Sequence, residues 1–171
     1  MVTSTSGLER EQVLVRPADR PGDLGWMVMA NAEVYAEQFG WDGDYEALVA
    51  QIVAAYAADR DPAREAGWVA ELDGERVGCV LCVAGDEPGT AKLRILLVTP
   101  AARGDGVGTR LVEECLAFAR RVGYARMVLW TNDVLVSARR IYQAAGFTLV
   151  GEEPHHSFGH DLVGQTWALD L

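Results

Sequence analysis

The sequence predicts one α/β domain, an α+β mixed sheet with helices packed on it, in the order βααβββαβαββ. Three observations carry that expectation. Strand-like runs and amphipathic segments with apolar residues at three- and four-residue steps follow one another along the chain, with no repeat or low-complexity segment. In the middle, an apolar run passes through a glycine-rich turn into an amphipathic segment, the βαβ arrangement whose strands pair in parallel. At 171 residues, 50% of them hydrophobic and 23% charged, the chain is long enough for one substantial core and short for two.

The elements justify themselves in order. Residues 1–11, "MVTSTSGLERE", have neither the basic region nor the apolar core of a secretory signal and read as a flexible tail before a single domain over 12–171. "QVLVRPAD" opens as a strand stopped at Pro17, because proline cannot donate to a ladder. Leu24 to Phe39 is rich in helix formers. Asp44 then stands where an N-cap is expected, ahead of Tyr45, Leu48, Val49, Ile52, Val53 and Tyr56 at helical spacing. Two strand-like runs flank Asp73-Gly74, a pair suited to a tight hairpin turn. "AKLRILLV", Ala91 to Val98, ends in residues suited to burial on both faces.

Val107, Leu111, Cys115, Phe118 and Val122 line one face of a helix that Gly123 should end. "ARMVLWT" is a strand, and "SARRIYQAAG" a helix with Ser137 as cap and Gly146 as stop. "TLVGEE" and "LVGQTWALDL" close the chain as strands, with "PHHSFGHD" as the loop between them.

Charge and cysteine content narrow the function. A formal charge of −10 argues against general nucleic-acid binding, which needs clustered Lys and Arg, and suits an amine-bearing partner. No segment approaches the roughly 20 apolar residues that span a bilayer, so a cytoplasmic protein without membrane contact is expected. Cys79 and Cys82 have the CxxC spacing of a redox or zinc site, but lie three apart in a strand-like run and so point to opposite faces. They read as buried thiols, and no metal is expected.

The stretch "TPAARGDGVGTRLVEECLAFA", Thr99 to Ala119, is the most informative. Unpaired amides and the dipole at a helix N-terminus favour an anion, and Gly104, Gly106 and Gly108 carry no Cβ to keep a phosphate away from the backbone. A bare tight turn, a nucleotide loop and another phosphate site are the readings available. Gly108 is followed by Thr109-Arg110 with no lysine, so a Walker-type loop is excluded. A dinucleotide fingerprint needs a third glycine where Thr109 stands, and should open the fold.

Val98, Pro100 and Arg103-Gly104-Asp105-Gly106-Val107-Gly108 resemble the V-x-P-x-x-R-G-x-G-x-G signature of the GNAT superfamily of acyl-CoA-dependent N-acetyltransferases. "ARRIYQAAGF", Ala138 to Phe147, resembles the A-x-x-x-Y-x-x-x-G-F segment of the same family. "ANAEVYAEQFGW" and "HHSFGHDLVGQTW" are further similar to the acetyltransferase half of MarR-type regulator fusions. The resemblance covers nearly the whole chain and implies a GNAT-like acyl-CoA N-acyltransferase fold, with acetyl-CoA as acyl-donor substrate. It places the coenzyme pyrophosphate on the amides of Arg103, Gly104, Asp105, Gly106, Val107 and Gly108, with the Thr109 hydroxyl added.

Pantetheine is then expected along Leu96, Leu97 and Val98, with the amide of Leu97 or Val98 polarising the thioester carbonyl. Tyr142 matches the tyrosine that protonates the departing thiolate. Asn132 or Ser137 is expected beside the cofactor. For the base that deprotonates the amine, the candidates are a histidine of the trio His155, His156 and His160, with His160 put forward, and Glu33 on the first helix. The trio also suits a metal site or a solvated loop. Tyr35, Phe39 and Trp41 suit either an acceptor pocket or core.

The function implied is direct transfer of acetyl from acetyl-CoA to a primary amine of a small molecule or protein. Cys115 falls within a helix on its apolar face, which disfavours a cysteine acyl carrier. A noncatalytic acyl-CoA-binding regulatory module is the alternative, and a homodimer is left open.

Overall fold

The computed structural model describes residues 12–171; the tail expected over 1–11 lies outside the described residues. The element order is the one expected: β1 (Leu14–Pro17), α1 (Asp23–Phe39), α2 (Gly43–Asp59), β2 (Ala66–Leu72), β3 (Glu75–Ala84), β4 (Thr90–Val98), α3 (Val107–Arg121), β5 (Arg126–Asn132), α4 (Val136–Ala145), β6 (Thr148–Ser157) and β7 (His160–Asp170). A short 3-10 turn over Pro100–Ala102 leads from β4 to the glycine loop. The strands form one sheet in the order β1-β2-β3-β4-β5-β7-β6. Among the described residues only β4 and β5, joined through α3, pair in parallel.

Two cores form, one on each face of the sheet. Val107, Leu111, Val112 and Cys115 of α3 pack with Leu93, Leu96, Met127 and Leu129 on one face. Met27, Val34 and Tyr35 of α1 and Val49, Val53 and Tyr56 of α2 pack with Val69, Cys79, Leu81 and Leu97 on the other. Alternation along β3 therefore sends Cys79 and Cys82 into different cores, where both are fully buried.

Local chemistry departs from expectation at three ends. The N-cap of α2 is Asp42, whose carboxylate accepts from the Asp44 amide at 3.0 Å, so Asp44 lies inside the helix it was expected to cap. Leu135, not Ser137, occupies the N-cap of α4, and no side chain caps it. "PHHSFGHD" is no loop: His155 and His156 belong to β6, His160 opens β7, and the turn is Phe158-Gly159 with φ of 58° and 83°. Burial of Phe158 against Trp41 and Tyr45 holds that turn to the other helical face, a tertiary contact that no local pattern announces.

β4 pairs with β5 only from Thr90–Lys92 to Arg126–Val128, after which the two strands part. The register of β4 against β3 shifts in this same region, and Ile95 sits at φ 50°, a strained value for a β-branched residue.

The helical face over this gap is anchored by buried charge. Asp23, at the start of α1, accepts from Arg16 Nη1 and Nη2 at 2.8 and 2.9 Å, from Arg76 Nε at 2.9 Å and from the Arg20 amide at 2.9 Å. Arg16 also reaches Glu71 at 2.8 Å, so one network ties α1 to β1, β2 and β3. The Arg16 hydrogen bonds hold the Asp23 carboxyl well below the usual carboxylate range against the opposing effect of burial. Stability from such a depressed pKa is present above the unfolded value near 3.8 and is lost as pH falls below it. Asp23→Asn should cost about 3 kcal/mol at neutral pH by leaving two guanidinium groups undercompensated. In urea unfolding the gap between wild type and variant should narrow steadily below a pH of about 4.

Candidate active site

The parted strands open a groove of about 600 Å³ between the glycine loop, α1 and the start of α4. The loop contributes Arg103, Gly104, Gly106, Val107, Gly108 and Thr109; β4 contributes Leu96 and Val98; α4 contributes Val136, Ser137 and Ala138. No side chain caps α3, and its first helical bond runs from Arg110 N to Gly106 O at 3.1 Å. The amides of Val107, Gly108 and Thr109 precede that bond and carry the positive end of the helix dipole into the groove.

The three glycines do different work. Gly104 and Gly106 have φ of 92° and 76°, and a Cβ on either would meet nothing within 4 Å, so both are needed for backbone conformation and leave the groove open. A Cβ on Gly108 would lie 2.5 Å from Ile141 Cδ1 and 3.3 Å from Val98 Cγ2. Gly108 thus lets α3 approach α4 and β4, a packing role beside the phosphate role that its spacing suggested. Asp105 is exposed and does not line the groove.

Hydrogen-bond phase separates the two amides that the sequence left as alternatives. Gly78 lies opposite Val98 and Cys79 opposite Leu97, while the Thr99 amide donates to Val77 O at 2.8 Å. Opposed residues in an antiparallel ladder alternate between bonded and non-bonded pairs. Leu97 shares the phase of Thr99, so its amide turns to β3; its side chain is in the core of the α1 face and lines no groove. Val98 has the opposite phase, and its amide and carbonyl face the gap. That carbonyl accepts from Arg103 Nε at 3.3 Å, and Arg103 Nη2 donates to Gln38 Oε1 at 3.1 Å, joining the loop to α1.

A second cleft, of about 660 Å³, runs along the α2 side of β4 and β5. Tyr35, Leu96 and Leu135 line both cavities and mark where they meet. Tyr142 lines the second cleft near this junction, is 4% exposed, and packs edge-on to Phe147 at 5.9 Å between ring centres. Burial pushes its phenol far above the ordinary value near 10, with Tyr35 and Cys115 adding to the effect, so it stays protonated and keeps an O–H to donate. Ser137 lines the first groove, whereas Asn132 lines the second.

None of the groups expected to supply a base lines a cavity. His160 Nε2 contacts Gly40 O at 3.2 Å at the end of α1, on the exposed side of the β6–β7 turn. His156 pairs with Asp161 at 2.9 Å in solvent. His155 sits behind Asn132, with Nε2 2.8 Å from Asn132 Oδ1 and Nδ1 2.9 Å from Ser157 Oγ, so both ring nitrogens are engaged. Glu33 points to solvent from α1. Because the trio is spread along two strands, its sequence proximity does not become a cluster; among the described residues no group of three metal-ligating side chains forms.

Of the aromatic residues, Tyr35 lines both cavities, Phe39 the first and Trp41 the second, while their rings also stack on one another in the core. Sequence reasoning missed Gln38, which holds Arg103, and Lys92, Arg94 and Trp130, which line the second cleft. Arg94 did carry a signal: it is a charge inside a strand otherwise suited to burial on both faces.

An uncapped helix start behind glycines opens beside two parted parallel strands, where free amides and the helix dipole favour an anion. The chain belongs to the acetyltransferase (GNAT) family, which it matches over residues 28–147. It is 37% identical over 89 residues to N-acetylaspartate synthetase of Homo sapiens, covering 52% of this chain and 30% of that protein. To human N-acetyltransferase 8B it is 37% identical over 93 residues, 52% of this chain and 41% of the other. An uncharacterized N-acetyltransferase of Schizosaccharomyces pombe is 29% identical over 136 residues, 80% and 82% of the two chains. The match spans well under half the length of the two human relatives.

Among solved structures, an N-acetyltransferase from Staphylococcus aureus Mu50 superposes with a TM-score of 0.76 at 18% identity, over 93% of this chain and 98% of that one. A structure from Salmonella typhimurium that contains its cofactor acetyl-CoA gives 0.71 at 22% identity, over 92% and 93%. These agree on the fold. Among the described residues no helix is long and apolar enough to cross a membrane.

The close approach at Gly108 makes a prediction. Gly108→Ala should destabilise the protein by roughly 1–3 kcal/mol through overpacking against Ile141. Adding Ile141→Val, which removes Cδ1, should recover most of that loss in thermal or urea unfolding.

Proposed function

We propose that this chain is an N-acetyltransferase that moves the acetyl group of acetyl-CoA directly to a primary amine. The observation that supports this reading best is the parting of β4 from β5, which frees the Val98 amide between an anion-seeking helix start and the protonated Tyr142. The empty space beyond Gly104 and Gly106 and the uncapped α3 fit a pyrophosphate, and the polar backbone of β4 fits the amides of pantetheine. Thr109 and Ser137 add hydroxyls along the same groove.

In the proposed reaction the amine enters by the second cleft and its nitrogen attacks the thioester carbonyl carbon. The Val98 N–H donates to the oxyanion that develops, and Arg103, bonded to the Val98 carbonyl, steadies that strand end. As the intermediate collapses, the carbon–sulfur bond breaks and Tyr142 donates a hydrogen bond to the departing sulfur. Its raised pKa makes it a stabiliser of the thiolate more than a full acid, because a thiol has a reference pKa of only about 8.5. The nitrogen loses its proton to water in the open cleft, since His160 and Glu33 lie outside it.

No acyl-cysteine is part of this route. Cys79 and Cys115 are fully buried and burial raises both thiols, Cys79 to about 12, so neither is a thiolate at neutral pH.

Calorimetry and thiol release test the assignment together. Gly106→Val, which forces a branched residue into φ of 76° and into the groove, should weaken acetyl-CoA binding by about tenfold or more. Tyr142→Phe should leave that binding unchanged and lower kcat by roughly 100-fold or more. Binding without turnover by the wild type across a broad amine panel would instead favour a noncatalytic regulatory module.

A further inference from the structure

The second cleft carries a distribution of charge that the transfer chemistry does not use. Arg94 and Lys92 stand on the α2 face of β4, half-buried, and line the cleft together with Arg126 at its outer end. Arg126 is paired with Asp170 at 3.2 Å. Arg94 and Lys92 form no ion pair within 4.0 Å among the described residues. Asp86 and Glu87 also line the cleft, but both are exposed at its rim, in the turn that precedes β4.

Charge is therefore graded along the cleft. The carboxylates lie at the solvent end, an unpaired guanidinium lies midway, and Leu96 and Tyr142 lie at the inner end where the amine must react. Burial lowers the pKa of Arg94, and Asp86 partly offsets this, which marks a cation held with incomplete compensation. A guanidinium remains charged in such a place and presents a planar fork that fits a carboxylate with two parallel hydrogen bonds. Arg94 and Leu96 line the same cleft on either side of the bulge at Ile95, so one small molecule lying in it can present a carboxylate to Arg94 and an amine toward Leu96.

Trp130 and Val150 complete the opposite wall. They are 47% and 55% exposed, unusual for such side chains, and they give the outer cleft an apolar surface. A polycationic acceptor that passed the carboxylates at the rim would meet repulsion from Lys92 and Arg94 further in.

Building on the transferase reading, we infer that the acceptor is a primary amine bearing a carboxylate on a nearby carbon, an amino acid or a compound of that form, with Arg94 as its carboxylate receptor. The amine end goes inward to the thioester and the side chain of the acceptor lies against Trp130 and Val150.

The test compares phenylalanine, leucine and aspartate, each with its carboxamide, by calorimetry on the full chain saturated with coenzyme A. At least one acid should bind about tenfold or more tightly than its amide, and Arg94→Gln should bring that ratio close to one. Arg94→Lys, which keeps the charge and loses the fork, should retain part of the preference. Retained affinity for coenzyme A verifies that each variant is folded. Equal binding of acids and amides, no binding by any acid, or an acid preference unchanged in Arg94→Gln would overturn the inference. Thiol release on the same panel with putrescine added separates the two ideas. Acid-selective binding without turnover of any amine supports the Arg94 site and defeats the transferase reading. Turnover of putrescine with no preference for acids overturns the Arg94 site and keeps the transferase.

Discussion

The constraint on which this structure depends is the incomplete pairing of β4 and β5. A parallel ladder that closed fully would satisfy the Val98 amide and carbonyl within the sheet and leave no room between α1 and α4. The bulge at Ile95 and the early end of pairing at Lys92 and Val128 prevent that closure. The backbone groups released are not orphaned. They open to a groove, one of them is held by Arg103, and the others are left for a ligand. Strain at one β-branched residue and several missing ladder bonds are the structural cost of the site.

The surrounding fold keeps the gap from collapsing. Two independent cores clamp the sheet on its two faces, and the buried Arg16–Asp23–Arg76 network fixes the start of α1, whose far end carries Tyr35, Gln38 and Phe39 over the groove. On the opposite face, Gly108 brings α3 close to α4 and to Val98. That close approach carries the first turn of α3 to the groove. The two cavities then meet at Tyr35, Leu96 and Leu135, and in the proposed reaction the two substrates approach that junction from different sides.

Much of the fold was legible because hydrophobic period and turn chemistry agree locally. Asp73-Gly74, Gly123 and Gly146 all adopt positive φ where the sequence asked for a stop or a turn. The form of the glycine loop was legible too, since Gly104 and Gly106 take positive φ just ahead of α3. The histidines were not, because whether "PHHSFGHD" is a loop or a hairpin depends on Phe158 finding Trp41, between α1 and α2, and Tyr45 on α2. The choice between Leu97 and Val98 was equally beyond the sequence, since it rests on the ladder phase set by Thr99 and Val77. Arg94 showed in the sequence only as a charge within a strand, and its place in the cleft needed the missing counter-charge and the neighbouring Trp130 to be seen.

The most direct measurement is a crystal structure of the complex with acetyl-CoA. The proposed chemistry requires the pyrophosphate on the amides of Val107, Gly108 and Thr109, the thioester oxygen within hydrogen-bond distance of the Val98 amide, and the sulfur facing Tyr142. Acetyl-CoA bound with its thioester away from Val98, or with its pyrophosphate off the start of α3, would contradict it.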